Sequence, residues 1–149
     1  MDSDVLPFKL RNSIVGQAIQ KTNRTQRYLN LARNIAWQST YGKIKHGAIL
    51  VKGGSIINTC FNKDKFCSFG TRFRPSGRGS ATIHAELGCV LGLPRQVTTG
   101  ADIYVCRINR KGDFRNSKPC AMCHSALKHV GVKRVYYTVG DNTVEMYKL

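Results

Sequence analysis

Apolar side chains fall at Tyr28, Leu31, Ala32, Ile35 and Ala36, a spacing that lines one face of a helix, and the pattern predicts a helix over 26–40. Asn23 followed by Gln26 reads as the capping-box start of that helix. Trp37 and Tyr41, at helical spacing, are expected in the core. Ahead of it, Ile14, Val15, Ala18 and Ile19 predict a tail or short helix within 1–22 that covers one edge of the core.

The period then shortens. The β-rich runs 46–51 and 56–61 flank Lys52-Gly53-Gly54-Ser55 and predict a hairpin. Residues 63–81 have no period, only Gly, Ser, Arg, Lys and Phe, and read as a long loop of the kind that carries function. A helix follows from about Thr82, with Ile83, Leu87, Val90 and Leu91 inward and Gly92 and Pro94 as its stop. A strand is expected over 101–108 and a second basic loop over 109–118. The next helix has Ser117 as cap and Pro119 in its first turn, buries Cys123, Ala126, Leu127 and Val130, and ends at Gly131. Runs 132–139 and 144–149, around Gly140-Asp141-Asn142, predict a closing antiparallel hairpin. The total is α/β, with five strands and three or four helices.

With 149 residues the chain has the length of one domain, expected over 23–149, and folding buries roughly 70% of its unfolded surface. No apolar run reaches the length of a membrane span, and the start Met1-Asp2-Ser3-Asp4 lacks the basic, then apolar, pattern of a secretory signal. An intracellular address, cytoplasmic or nuclear, is expected, with no membrane partner. Charge adds a partner class: 24 Lys and Arg against 8 Asp and Glu leave +16, a field that attracts nucleotides or nucleic acid.

Two fragments carry chemistry. His84-Ala85-Glu86 opens one expected helix and Pro119-Cys120-Ala121-Met122-Cys123 the next. Cys120 and Cys123, three apart, share a helical face and suit zinc, although the same pair also fits core packing or a thioredoxin-like redox motif. His84 supplies a third ligand, and three protein ligands leave a tetrahedral position for water, as in catalytic sites. Glu86, two residues from His84, points off the ligand face and is placed to shuttle protons.

This H-x-E followed by P-C-x-x-C resembles the zinc-dependent nucleobase deaminases of the cytidine deaminase superfamily, over at least 44–139. The resemblance implies a three-layer fold, a central five-stranded mixed sheet with helices on both faces, and a Zn2+ cofactor held by His84, Cys120 and Cys123. It implies that Glu86 moves a proton from the activated water to the ring nitrogen and the leaving amine. It further implies substrate contacts from Asn62, after the second strand, and from the backbone of Ala85.

Features pointing to the substrate divide. A histidine as first ligand is similar to the nucleotide and polynucleotide branches, whereas the closing hairpin is similar to the nucleoside branch. Nine of the 24 cations fall in the two basic loops, and Lys63, Lys65, Arg72, Arg74, Arg78, Arg110, Lys111 and Arg115 are candidate nucleic-acid contacts. Phe66, Phe69, Phe73 and Phe114 interleave them as stacking platforms for single strands, or tuck into the domain. The expectation is a hydrolytic deaminase of a cytosine-type base in an anionic substrate, single-stranded DNA or RNA slightly ahead of free (deoxy)cytidylate, with adenine open. The alternatives are a nucleoside or nucleotide salvage deaminase, or a non-catalytic zinc-stapled binding domain with His124 or Cys89 as fourth ligand. Cys60, Cys67, Cys89 and Cys106 read as core or loop thiols, and His46 as the start of a strand.

Overall fold

Side chains on two neighbouring strands alternate between two buried faces, and this organises the molecule. The computed structural model describes residues 15–40, 44–74 and 82–149; Ile14, Tyr41 and Arg78 lie outside the described residues. In chain order the elements are β1 (Gln17–Ile19), α1 (Asn23–Ala36), β2 (Lys45–Lys52), β3 (Ser55–Phe61), β4 (Lys63–Phe66), α2 (Ser68–Thr71), β5 (Thr82–Ile83), α3 (Ala85–Val90), α4 (Arg95–Thr98), β6 (Asp102–Ile108), β7 (Phe114–Arg115), α5 (Ala121–His129), β8 (Arg134–Thr138) and β9 (Val144–Lys148).

The main sheet runs β1-β9-β8-β6-β2-β3, with β7 added beside β6. The β6–β8 pair is parallel, joined through α5, and its other neighbours are antiparallel, including the closing β8–β9 hairpin. The five expected strands are thus its spine, extended by two short additions. β1 pairs with β9 as a strand, where the apolar spacing predicts a tail or short helix; three residues reach sheet register there without needing a helical face.

Ile49 and Val51 of β2 and Tyr104, Cys106 and Ile108 of β6 pack against Tyr28, Leu29, Ala32 and Ala36 of α1. Ala48 and Leu50, with Ile103 and Val105, point to the opposite side and pack with Cys89 and Val90 of α3 and Leu127 of α5. Three layers result, and burial of both sheet faces explains why these strands read as continuous apolar runs. Gly47 lets α1 sit this close: a Cβ there would stand 2.1 Å from the Ala32 carbonyl oxygen.

Boundaries differ from the sequence pattern where polar side chains decide them. Thr22, not Asn23, caps α1, its side chain accepting from the Thr25 N–H at 3.1 Å. Ser117 caps no helix: it is buried, and its hydroxyl contacts the Val105 carbonyl and the Thr138 backbone and side chain, tying the segment before α5 to β6 and β8. Trp37 is 45% exposed instead of core, its ring lying over Gly112. No helix among the described residues is long and apolar enough to cross a membrane.

Candidate active site

His84 and Cys120 both occupy N-cap positions, of α3 and α5, with extended backbones (ψ 154° and 169°) and no side-chain cap bond. Caps normally go to Ser, Thr, Asp or Asn because those side chains satisfy orphan N–H groups. Two helices that forgo this leave an imidazole and a thiol free to face each other. β5, paired with β4 in the register Lys63↔Ile83 and Phe66↔Thr82, delivers His84; the tether of Ser117 to β6 and β8 sets the approach of Cys120.

Cys123, one turn into α5, completes the group: His84, Cys120 and Cys123 offer ligand atoms within 4.8 Å of one another. His84 Nδ1 lies 3.7 Å from Cys120 Sγ and 3.2 Å from Cys123 Sγ. Tetrahedral zinc with the usual bond lengths separates nitrogen and sulfur ligands by about 3.5 Å, so the donor set fits. The Cys120 thiol is held down, to about 4, by its hydrogen bond with Cys123 and then by His84, while Cys123, deeply buried and donating to Cys120, is pushed up. His84 is raised, chiefly by Cys120.

Glu86 is 4% exposed and reaches Cys123; burial pushes its carboxyl above the ordinary range. It lines a cavity of about 260 Å3 together with Ile44, His46, Asn62, Thr82, His84, Lys118 and Cys120. Asn62 is buried, with Oδ1 accepting from the His46 N–H at 3.0 Å and Nδ2 donating to the Ile44 carbonyl at 2.9 Å. Ala85 is fully buried at the first position of α3.

His46 is the cavity residue that the sequence pattern missed. Its alternation with Ala48 and Leu50 along β2 was a signal, since it puts a polar ring on the face that carries α3 and α5. Burial, then Arg107, then His84 lower its pKa to about 4, so the ring is neutral at pH 7. Among the described residues the lysine or arginine at the cavity wall is Lys118, from the second basic loop.

The candidate nucleic-acid contacts among the described residues lie outside the cavity lining. Lys63 sits over the Phe61 ring, Arg72 over the Phe73 ring, and Lys65, Arg110, Lys111 and Arg115 are exposed. Arg74 is near enough for its charge to act on His84. Of the four loop aromatics Phe66 is outward, 65% exposed, while Phe114 is buried and Phe69 and Phe73 pack edge to face on the core. Neither proposed fourth ligand joins the group: Cys89 Sγ donates to the Ala48 carbonyl, and His124 faces the Tyr147 hydroxyl.

A family model described as the cytidine and deoxycytidylate deaminase zinc-binding region matches residues 22–139. Among solved structures, the dCMP deaminase of cyanophage S-TIM5 in apo form is similar at 23% identity and TM-score 0.51, over 80% of this chain and 86% of that one. The same enzyme with dCMP and dUMP gives 20% identity and TM-score 0.53, over 80% and 83%. RibD of Acinetobacter baumannii, form 1, gives 21% identity and TM-score 0.50 over 78% of this chain, which spans 28% of the RibD chain. No curated protein sequence matches.

Proposed function

This chain belongs to the cytidine and deoxycytidylate deaminase zinc-binding family, and from that premise we propose that residues 23–149 act as a zinc-dependent hydrolytic deaminase of a cytosine-type base in an anionic substrate. The observation that carries the proposal is the buried Glu86 carboxyl beside three converging metal-ligand atoms, at the floor of an open cavity.

His84, Cys120 and Cys123 would hold the metal. Zinc, when bound, supplies the Lewis acidity that makes water nucleophilic near neutral pH. Glu86 accepts one proton from the attacking water and delivers it to the ring nitrogen, then carries the remaining proton of the added hydroxyl to the departing amine, so that water and the amino base become ammonia and the oxo base. Ala85 offers its backbone to the base. Asn62 keeps one amide hydrogen beyond its two backbone bonds, available to a substrate oxygen. Engagement of both fourth-ligand candidates elsewhere, Cys89 with Ala48 and His124 with Tyr147, argues against a purely structural zinc staple.

Free (deoxy)cytidylate is the anionic substrate that the geometry supports better. The cavity is small, Lys118 is the lysine or arginine at its wall among the described residues, and most loop aromatics turn inward. Single-stranded DNA or RNA is the second reading, favoured by exposed Lys65 and Phe66 on β4, whose partner strand leads into His84.

Mass spectrometry of the amino-to-oxo change, on zinc-loaded protein given cytidine, deoxycytidylate and C-containing oligonucleotides, tests this. Conversion of deoxycytidylate ahead of the strands is expected. Conversion of strands alone establishes the second reading, and no conversion of any cytosine compound overturns the proposal.

A further inference from the structure

A second cavity, of about 170 Å3, opens at the other end of β2 and shares no lining residue with the first. The six-residue span from His46 to Lys52 separates the two by roughly 20 Å of strand. Its walls include Arg24, Lys52, Asp102, Tyr104 and Arg134.

Two features set it apart from an ordinary solvated basic face. Asp102 Oδ1 and Arg134 Nε are covered and have no hydrogen-bond partner among the described residues, although their side chains are 24% and 35% exposed and Arg134 also bonds Tyr136. They stand 3.9 Å apart, which attracts without satisfying either. The pair is thus imperfectly satisfied where it is covered, and the exposed remainder of both side chains borders the cavity. Arg24, moreover, lies in the first turn of the 14-residue α1, which holds no acidic residue. A cation at the positive end of a helix is unfavourable until an anion joins it.

The unmet demands are mixed in sign. Arg134 offers donors, Asp102 offers acceptors, and Arg24 and Lys52, whose ammonium also donates to the Gln96 carbonyl, add positive charge; a bare anion would meet the cations and be repelled by Asp102. We propose that this cavity binds a small sugar phosphate, its phosphate held by Arg24, Lys52 and Arg134 and a sugar hydroxyl donating to Asp102. It is a site apart from the deaminase centre and independent of that centre's activity.

Titration calorimetry on the zinc-loaded full chain carrying Glu86→Gln, with ribose 5-phosphate, ribose and inorganic phosphate as probes, tests the proposal. One-to-one binding of ribose 5-phosphate is expected, with ribose silent, and Arg24→Gln with Arg134→Gln weakens it about tenfold or more. Lys118→Gln, which alters the other cavity, leaves it unchanged. Asp102→Ala discriminates further: it loosens ribose 5-phosphate but tightens inorganic phosphate, and Asp102→Asn, closer in shape, tightens inorganic phosphate likewise. Absence of ribose 5-phosphate binding, binding that survives the arginine pair, or binding lost with Lys118→Gln overturns the site. Tightening of both ligands by Asp102→Ala overturns the role of the hydroxyl. Turnover at the deaminase centre, assayed separately, bears on neither outcome.

Discussion

Asn62 does two jobs at once: it faces the reaction cavity, and it pins the chain at Ile44 and His46, whose side chains line the same wall. Asn62→Ala leaves two backbone groups without partners. It should cost about 1–3 kcal/mol of stability in addition to raising KM, read from thermal denaturation beside steady-state kinetics. His46 carries a pH signature. Folding lowers its pKa from 6.5 to about 4, so the unfolded chain binds the extra proton between those values, and stability is full above pH 6.5 and lost as pH falls toward 4. The loss is at most about 3 kcal/mol. Denaturant melts of metal-stripped protein at pH 7 and pH 4.5 should show it in the parent chain and a smaller loss in His46→Gln. Equal losses in both would remove His46 as the titrating group.

Between elements, the close seat of α1 on β2 turns on one missing side chain. Gly47→Ala drives a Cβ into the Ala32 carbonyl, and overpacking of this kind costs about 1–3 kcal/mol, so the melting temperature should fall while zinc stoichiometry holds. Legibility followed burial. α1 and α5 were readable because their apolar positions repeat at a helical period, and β2 and β6 because burial on both faces makes each a continuous apolar run. β1, β4, β5 and β7 were not, because pieces of two to four residues carry too little period and depend on a partner strand for their hydrogen bonds. The grouping of His84, Cys120 and Cys123, with Glu86 beside Cys123, was legible as residue types at fixed spacing. His46 was legible only as a polar position alternating with Ala48 and Leu50, and its place at the cavity arises when β2 is laid beside the two helix starts. Ser117 was misread for a related reason: a hydroxyl before a helix suggests a cap, and only the fold shows it reaching Val105 and Thr138 instead.

Across the whole molecule, a net charge of +16 separates two kinds of binding. A mononucleotide held by Lys118 should show shallow salt dependence, whereas oligonucleotide affinity should fall steeply with salt. If Lys63 and Lys65 touch a strand, Lys63→Gln with Lys65→Gln makes the logarithmic slope roughly 1.4 shallower. An unchanged slope assigns those lysines to solvation alone. The most direct measurement is of zinc content and ammonia release from deoxycytidylate, in the parent chain and in Glu86→Gln side by side. Retained zinc near one ion per chain with turnover reduced about a hundred- to ten-thousand-fold is the predicted result. Undiminished turnover by Glu86→Gln would contradict it.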